Sequence, residues 1–515
     1  MRALRPLIIS LIVLLPHLAT AEPLKRGLGP EPATLDPQAA QGLAALNVLR
    51  DLHEGLTTLD ASGRVVPGLA RDWSQQQDGK RYVFRLRPNL RWSDGSRLSA
   101  SDFVRGLRHA VDPGNAAPYA GLLTAIQNAA AIRAGELPVT SLGVKAVDAQ
   151  QLQIDLVRPS PMLLEILAHP VSAPRPRTTD TSLYSGPYQL QRRVLQGQLE
   201  LQRNPHYHAA AGVAMEQIHW LVTEEPASEL SRFRAGEIHI TETIPPGRFR
   251  WLQQHLPESL RVSPYLGTFF LAYNLDREPF ADNLKLRQAL SLAIDRATLT
   301  RVVTAAGEQP AYALIAPGLR DYPYPQLSST TMSQEERLGL AKVLYRQAGY
   351  SEERPLKITL RYNTSTAQRR LAAAVSTMWQ QYLGVITDLI NEEWKVFIVN
   401  RRQQVNTQIV RGGWIADIAD PLSFLEPFSS DSSFNYTGYA DDSYQKLLKA
   451  AENANSSMQR MQQLARAEAR LMSQQPIIPL YYYVSRHLVQ PRVRGYVDNP
   501  MDIHLSRYLS LAEQP

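Results

Sequence analysis

The chain of 515 residues contains no cysteine. This absence excludes disulfide bonds, thiol nucleophiles and thiolate metal ligands, so stability must come from core burial. Clusters of one charge are also lacking: 55 lysines and arginines face 48 acidic residues, and the basic residues are scattered along the chain. A net charge of +7 spread in this way is typical of a solvated surface. No nucleic-acid partner is therefore predicted.

Long apolar runs are scarce, and the main one is at the start of the chain, at residues 7–15. Arg2 and Arg5 precede it, and the small residues Ala19-Thr20-Ala21 follow it. This order is typical of a secretory signal peptide, and the run is too short to cross a bilayer. We therefore predict that residues 1–21 are a signal peptide and that the remaining chain is exported as a soluble protein.

The sequence also lacks the motifs of secreted hydrolases. It has no Gly-x-Ser-x-Gly elbow, no His-Glu-x-x-His helix and no phosphate-binding Gly-x-x-x-x-Gly-Lys loop. His206 and His208 could share one face of a strand and bind a metal, but no acidic segment accompanies them, so a surface pair is favoured. No catalytic residue, metal ligand or cofactor is predicted.

The elements that are present indicate mixed α/β structure. Tyr82, Phe84 and Leu86 alternate with arginines, which predicts a half-buried strand after the Asp78-Gly79 turn. Ser99 followed by Asp102 predicts the start of a helix.

Further along the chain, the near-continuous apolar run at residues 263–275 predicts a strand buried on both faces. Two apolar stripes with helical spacing end at Gly349 and Gly384. The proline-dense residues 159–187 predict a linker or inter-domain crossover rather than a packed element.

An ordered set of motifs resembles the periplasmic oligopeptide-binding proteins of bacterial ABC importers, the extracytoplasmic solute-binding proteins of family 5. Each motif is weak alone, but the set covers nearly all of the chain after residue 21. It includes Leu35-Asp36-Pro37, Arg50-Asp51-Leu52-His53-Glu54-Gly55-Leu56, Pro67-Gly68-Leu69-Ala70, Trp92-Ser93-Asp94-Gly95, Arg203-Asn204-Pro205 and Tyr481-Tyr482-Tyr483-Val484.

The resemblance implies an α/β, two-lobed periplasmic-binding-protein fold, type II and similar to cluster C, with an extra inserted domain and a hinge between the lobes. The expected division is 22–53, 179–266 and 485–515 for lobe I, 54–178 for the extra domain II, and 267–484 for lobe III. Several crossings between lobes permit hinge closure around a ligand.

The function implied by the resemblance is capture of short peptides in the periplasm, without chemistry on the ligand. The expected partners are an inner-membrane ABC permease and its ATPase subunits, and the protein is expected to be a monomer. The alternative within the same fold is a non-peptide solute such as a nickel chelate, haem, glutathione or an opine. A secreted hydrolase is the less favoured reading.

The stretch from Arg411 to Phe424 is the expected centre of the ligand site. An extended peptide can pair with a strand edge, and glycines such as Gly413 allow close approach of another backbone. By resemblance, Asp417 binds the α-amino group of the peptide and Arg411 meets the carboxylate of shorter peptides. Asp420 is assigned to a turn before Pro421. From the residues alone, a helix-cap or turn role for Asp417 and a structural ion pair for Arg411, as for Arg402, stay open.

The remaining pocket residues are also implied by resemblance. Arg402 matches a second pocket arginine, with Arg401 leaving the register open by one residue. Trp394, Trp414 and Tyr119 match aromatic residues that line the pocket, although each could equally belong to the core.

The chain departs from the family pattern at several positions. Gln41 replaces a glutamate near the ligand amino terminus, and neutral Gln368 and Thr304 replace basic residues that meet longer peptides. Gly267 and Ile415 stand where some members pair two cysteines. Fewer charged anchors favour short peptides that reach Arg411, or ligands whose C-terminus is modified or left in water.

Overall fold

The computed structural model describes residues 22–178, 182–403, 407–430, 432, 434–454 and 456–513. The predicted signal peptide lies outside this part of the chain. No helix within these ranges is long and apolar enough to span a membrane.

The described residues form the following strands and helices. The strands are β1 (Leu24–Gly29), β2 (Thr57–Leu59), β3 (Val65–Pro67), β4 (Ala70–Gln76), β5 (Arg81–Leu86), β6 (Val144–Ala146), β7 (Gln151–Asp155), β8 (Tyr188–Val194), β9 (Gln198–Arg203), β10 (Gln217–Val222), β11 (Leu260–Tyr273), β12 (Gln309–Pro310), β13 (Lys357–Asn363), β14 (Ile386–Glu392), β15 (Ile409–Ile415), β16 (Ile477–Leu488), β17 (Val493–Arg494) and β18 (Ser510–Leu511). The helices are α1 (Leu43–Leu52), α2 (Ala100–Val111), α3 (Ala129–Arg133), α4 (Leu163–Ile166), α5 (Pro226–Arg234), α6 (Phe249–His255), α7 (Leu284–Leu292), α8 (Arg296–Thr298), α9 (Ser328–Thr331), α10 (Gln334–Gln347), α11 (Thr366–Leu383), α12 (Trp394–Gln403), α13 (Leu422–Leu425), α14 (Asp442–Glu452) and α15 (Ser457–Gln474).

The first sheet has the strand order β1-β10-β9-β8, with β1 parallel to β10 and the other pairs antiparallel. Its core includes Trp220 and Tyr188, both fully buried. The C-terminal segment closes this region, because Ser506 donates from both its backbone N–H and its hydroxyl to the buried Asp51 carboxylate on α1. The first and last parts of the chain therefore share one core.

The second sheet, β4-β5-β7-β6, is antiparallel and packs against α2. As predicted, β5 buries Tyr82, Phe84 and Leu86. The Ser99 backbone N–H donates to the Asp102 carboxylate at 2.7 Å, which completes the predicted capping box at the start of α2. The hairpin and helix inferred from this part of the sequence are thus confirmed.

The third and largest sheet has the order β12-β16-β11-β15-β13-β14. Its central strand β11 is buried on both faces, as predicted: Phe269 and Tyr273 enter one core cluster, whereas Leu266 and Phe270 enter the other. On either side of β11, β15 and β16 run antiparallel to it. Strand β15 carries the stretch that begins at Arg411.

The long strands β11 and β16 extend out of this sheet as a paired ribbon towards the first sheet. The ribbon leads to Thr241, whose backbone N–H donates to the Leu488 carbonyl. The register shifts between Pro264 and Thr268, opposite Val484 and Tyr482. The predicted borders of lobe III, at 266/267 and 484/485, fall at this irregularity, and the domain borders stay a prediction.

Part of the proline-dense region is packed, so the expectation that it holds no packed element is wrong there, whereas its interpretation as an inter-domain crossover stays a prediction and residues 179–181 lie outside the described residues. Residues 169–174 are all buried, and Val171 joins the core of the second sheet. Proline has no N–H to satisfy, and the carbonyl of Ala173 accepts a hydrogen bond from the Gln38 side chain at 3.1 Å. An extended proline-rich segment can therefore be buried without orphaned donors.

Asp420, which follows β15, joins the third sheet to α15. Its two carboxylate oxygens accept hydrogen bonds of 2.7 and 2.8 Å from the Arg460 guanidinium, and both side chains are buried. Asp420 also accepts from the Leu422 backbone N–H at 2.8 Å, which confirms its assignment to a turn. The pair fixes the chain where it leaves β15.

We expect Asp420→Ala to lower the free energy of unfolding by about 3–5 kcal/mol, because it leaves the Arg460 charge buried without a partner. Urea unfolding of the mature protein measures this. Asp388→Ala, at an exposed position on β14, serves as the control and should change stability by less than about 0.5 kcal/mol. Equal effects of the two substitutions would contradict the structural role of the pair.

Candidate ligand-binding site

The strand β15 has one open edge. On one side it pairs with β11 over its whole length, from Tyr273↔Ile409 to Gly267↔Ile415. On the other side it pairs with β13 only at Ile409 and Val410. From Arg411 to Ile415, no strand of the described chain covers this second edge. The backbone groups there are available to an added strand.

The two glycines of β15 make room for aromatic side chains, which are Phe270 and Tyr436 at Gly412 and Tyr483 at Gly413. A Cβ on Gly412 would lie 2.6 Å from the Tyr436 hydroxyl, and a Cβ on Gly413 would lie 2.8 Å from the Tyr483 hydroxyl. Side chains project above and below a strand, whereas an added strand approaches within the plane of the sheet. The glycines are therefore required for packing within the fold, and their role in the approach of a ligand backbone stays a prediction.

Asp417 follows β15 and faces a cleft. The Asp417 backbone N–H donates to the Ser423 hydroxyl at 3.2 Å, but no described residue donates a hydrogen bond to the Asp417 carboxylate or forms an ion pair with it. The side chain is open to solvent, yet the surrounding walls of the cleft bury it enough to raise its pKa. Asp417 thus differs from Asp420, whose carboxylate is fully engaged.

Arg411 lies on the same strand, with its guanidinium 5.1 Å from the Phe269 ring centroid and 5.9 Å from that of Trp394. Its Nε is buried without a hydrogen-bond partner, and no carboxylate of the described chain lies within ion-pair distance. Cation–π contacts hold the guanidinium but leave its charge unneutralised. The structural ion pair that the residues alone left open is therefore absent from the described part of the chain.

Aromatic rings flank the open edge. Trp394, on α12, is 49% exposed and stacks on Phe397. Trp414 is partly buried, meets the exposed Phe434 edge to face at 5.2 Å, and has an unpaired indole N–H. Neither tryptophan is wholly part of the core, so both can contact a bound molecule.

The two arginines at the end of α12 have different environments. Arg402 is exposed, whereas Arg401 is half-buried with its guanidinium 4.6 Å from the Tyr436 ring centroid. Burial lowers the pKa of Arg401, and the nearby charges of Arg411 and Arg402 lower it further. The structure therefore brings Arg401 within electrostatic reach of Arg411, and the pocket role of Arg402 stays a prediction.

A cavity of about 130 Å³, partly open to solvent, lies between the end of β15 and the first two sheets. Asp417 and Ile415 line one wall, and Tyr119 lines another beside α1. The Tyr119 hydroxyl accepts a weak hydrogen bond from the Gly42 backbone N–H at 3.5 Å, and its ring packs on His169. Of the predicted site residues, Asp417 and Tyr119 share this cavity.

Gln41, Thr304, Gln368 and Gly267 are not among the residues that line this cavity. Gln41 is exposed immediately before Gly42. Thr304 donates to the Glu308 carboxylate at 2.9 Å, and Gln368 lies in the first turn of α11 without a charge to offer. Gly267 and Ile415 are direct cross-strand partners on β11 and β15, so they are adjacent as the resemblance implies.

Several residues of the cavity were not predicted from the sequence, among them Arg50 and Tyr265. Arg50, on α1, donates to the Asn47 side chain at 3.3 Å and has no carboxylate partner among the described residues. Burial lowers its pKa to about 10. Tyr265, on β11, also lines the cavity, and burial together with Asp502 raises its pKa to about 12. Arg50 and Tyr265 lie 215 positions apart in sequence, so no local pattern could join them.

His206 and His208 do not form a shared site. His208 Nε2 lies 2.7 Å from the Glu54 carboxylate, which also binds Arg507 and the Tyr207 hydroxyl. His206 is exposed in the turn after β9. The preference for a non-metal explanation of this pair agrees with their separate contacts.

The chain is similar to known binding proteins over nearly its whole length. The model of bacterial extracellular solute-binding proteins, family 5, matches residues 64–436. The periplasmic murein peptide-binding protein MppA of Escherichia coli K12 is 35% identical over 512 residues, covering 96% of this chain and 94% of that protein. The periplasmic oligopeptide-binding protein OppA of Salmonella typhimurium LT2 is 36% identical over 501 residues, covering 94% and 92%.

A solved structure gives the same result. The murein tripeptide-binding protein MppA, in its unliganded open form, matches with a TM-score of 0.87 and 34% identity, covering 95% of this chain and 97% of that chain. Both sequence and fold agree over these spans. The chain belongs to the bacterial extracellular solute-binding proteins of family 5 and has their two-lobed α/β fold.

Proposed function

We propose that the protein captures short peptides in its cleft and delivers them to an inner-membrane ABC permease driven by ATPase subunits. The observation that carries the proposal is the open edge of β15, which ends beside the unpaired carboxylate of Asp417. A peptide needs both features at once, because its backbone must be paired while its amino terminus is neutralised.

The geometry supports a direction for the peptide. Asp417 offers a negative charge at one end of the open edge, and Arg411 offers a positive charge at the other. A free amino terminus at Asp417 and a free carboxylate near Arg411 would neutralise both charges. The exposed ring of Trp394 can cover side chains of varied shape, since aromatic contact is tolerant of sequence.

The relatives support the class of ligand. Their names specify murein peptide and oligopeptide binding in the periplasm. We propose the same compartment for this chain after removal of residues 1–21, with a monomeric protein that performs no reaction on its ligand. Lobes with the borders given by the resemblance would close by bending the β11–β16 ribbon near Pro264, where its pairing is interrupted.

We expect the mature protein, isolated from the periplasm under native conditions, to carry a set of short peptides with free amino termini. Mass spectrometry before and after denaturation measures their masses. A single non-peptide mass would replace the proposed ligand class with another solute. Hydrolysis of added peptides by the purified protein would contradict the proposal that it performs no reaction on its ligand.

We expect Asp417→Asn to weaken trialanine binding by at least about 2 kcal/mol, because the peptide ammonium would be desolvated without a counter-charge. Isothermal titration of protein freed of ligand by unfolding and refolding measures the affinity. Glu426→Gln is the matched control, because Glu426 is a second nearby carboxylate whose pKa is raised by burial and, to a smaller extent, by the charges of Glu452 and Asp417. That substitution should change affinity less than about threefold.

The pH dependence of trialanine affinity, compared between the wild type and Asp417→Asn, tests the role of the Asp417 charge. The pKa of Asp417 is raised in the free protein, and a bound ammonium would favour the ionised form. The affinity for trialanine should therefore have its full value at pH values above this pKa. It should fall as the pH decreases through the pKa, by up to about tenfold per pH unit. Asp417→Asn should abolish this dependence, and an unchanged pH profile would exclude Asp417 as the amine anchor.

We expect the protein to bind trialanine at least about tenfold (1.4 kcal/mol) more tightly than its C-terminal amide, because Arg411 would lose its carboxylate partner. Arg411→Gln should remove this difference while still binding both ligands. In a series from dipeptide to pentapeptide, affinity should be greatest for the shorter members.

The control for this prediction is Arg133→Gln, at an exposed arginine on α3 in the second sheet region. It should leave both the amide penalty and the length preference unchanged. A series that rises to the pentapeptide, or an amide penalty that survives Arg411→Gln, would refute the role given to Arg411.

A further inference from the structure

Two histidines and an aspartate meet on the wall of the cavity formed by the first sheet region. His487 Nε2 and His504 Nε2 lie 2.8 and 3.0 Å from the same oxygen of Asp502. One possible ligand atom from each of the three side chains lies within 4.8 Å of the other two. All three residues line the cavity that Asp417 also faces.

From this cluster we infer a binding site for one divalent transition-metal ion of the Zn²⁺ class, held by His487, Asp502 and His504. Two imidazole nitrogens and one carboxylate oxygen are ligands that Zn²⁺ accepts in sites that keep a fourth position open. The cavity supplies that open position and a path for the ion.

The backbone fixes the orientation of His487 as a ligand requires. His487 Nδ1 lies 2.9 Å from the Thr241 carbonyl oxygen, and an Nδ1–H donated there leaves the Nε2 lone pair directed at the cluster. A ligating histidine usually donates its other ring N–H to a carbonyl or carboxylate in this way. The anchor comes from a different segment from either histidine, so the ring position is built into the fold.

His504 and Asp502 are held by a tight loop. The Asp502 backbone has a φ of 55°, in the left-handed region, and its N–H donates to the Asn499 carbonyl. The Asn499 side chain donates to the Ile503 carbonyl at 2.8 Å. The His504 ring stacks on Tyr496 with centroids 4.1 Å apart. These contacts place two of the three ligands without using their metal-binding atoms, apart from a Tyr496 hydroxyl 3.0 Å from His504 Nε2.

Glu242 adds an independent sign of a cation. Its carboxylate lines the same cavity, and no described residue donates a hydrogen bond to its side chain or pairs with its charge. Arg26 also lines the cavity, but its guanidinium stacks on Trp220 and donates to the His504 carbonyl and the Ser506 hydroxyl. A water molecule could complete the coordination of an ion, and the Glu242 carboxylate would add negative charge in the same cavity.

The test is equilibrium dialysis of the untagged mature protein, treated with EDTA and freed of peptide, against Zn²⁺. We expect saturable binding of one equivalent, and substitution by Co²⁺ should give the visible spectrum of a low-coordinate site with nitrogen ligands. His487→Ala and His504→Ala should each weaken Zn²⁺ binding by at least about tenfold. His504→Gln, which keeps the side-chain size, guards against a folding defect, and circular dichroism checks the fold.

The matched control is His255→Ala, at an exposed histidine on α6 that should leave Zn²⁺ binding unchanged. Asp417→Asn should also keep the Zn²⁺ affinity, so failure of the peptide proposal and failure of the metal proposal are distinguishable. Absence of saturable binding, or equal affinity in wild type and both histidine variants, would show that His487, Asp502 and His504 are held together by hydrogen bonds alone. Loss of binding in His255→Ala would show adventitious surface binding, and either result would overturn the proposal.

Discussion

The site depends on a backbone constraint: a strand inside a protein must satisfy its N–H and C=O groups on both edges. β15 meets this requirement along β11, but β13 accompanies it only as far as Val410. The remaining edge, from Arg411 to Ile415, is left for water or for another strand. A strand edge recognises any extended backbone, since the ladder of hydrogen bonds is independent of side chains. Sequence-tolerant peptide capture is the natural use of such an edge.

The charges around this edge differ from those elsewhere in the fold. Buried carboxylates such as Asp420 and Glu54 are paired with Arg460 and Arg507. Removing a charge from water is costly unless a partner replaces the water. These carboxylates already have that partner within the fold and offer no unpaired charge to a ligand. Asp417 lacks such a partner among the described residues and has a raised pKa. Its carboxylate is therefore in an environment that a bound cation would improve.

Local patterns predicted the elements well, because helix caps and strand alternation depend on neighbouring residues. The capping motif predicted at Ser99 forms, a second capping box lies at Ser333, and α11 ends at Gly384, whose φ is positive. Burial was harder to predict where composition misleads. The segment ending at Pro174 is packed, because prolines carry no N–H that burial would orphan.

The candidate site also has one part that local sequence patterns could predict and one part that they could not. The stretch around Asp417 is contiguous, so its motif could be found in the sequence. The opposite wall is assembled from Arg50, Glu242, His487 and His504, which come from three distant regions of the chain. No periodicity connects such residues, and only the packing of the C-terminal segment against α1 and β1 brings them together.

The two walls have different physical characters, and the ribbon of β11 and β16 connects them. The β15 wall offers backbone groups and two opposite unpaired charges, whereas the other wall offers a dense set of buried ionisable side chains. Ligand binding at the first wall need not disturb the second, because their polar contacts are separate. The walls become coupled only if the ribbon bends where its register breaks, beside Pro264. Bending there moves whole sheets without breaking the hydrogen bonds within either one, so closure can be large while each wall keeps its own geometry.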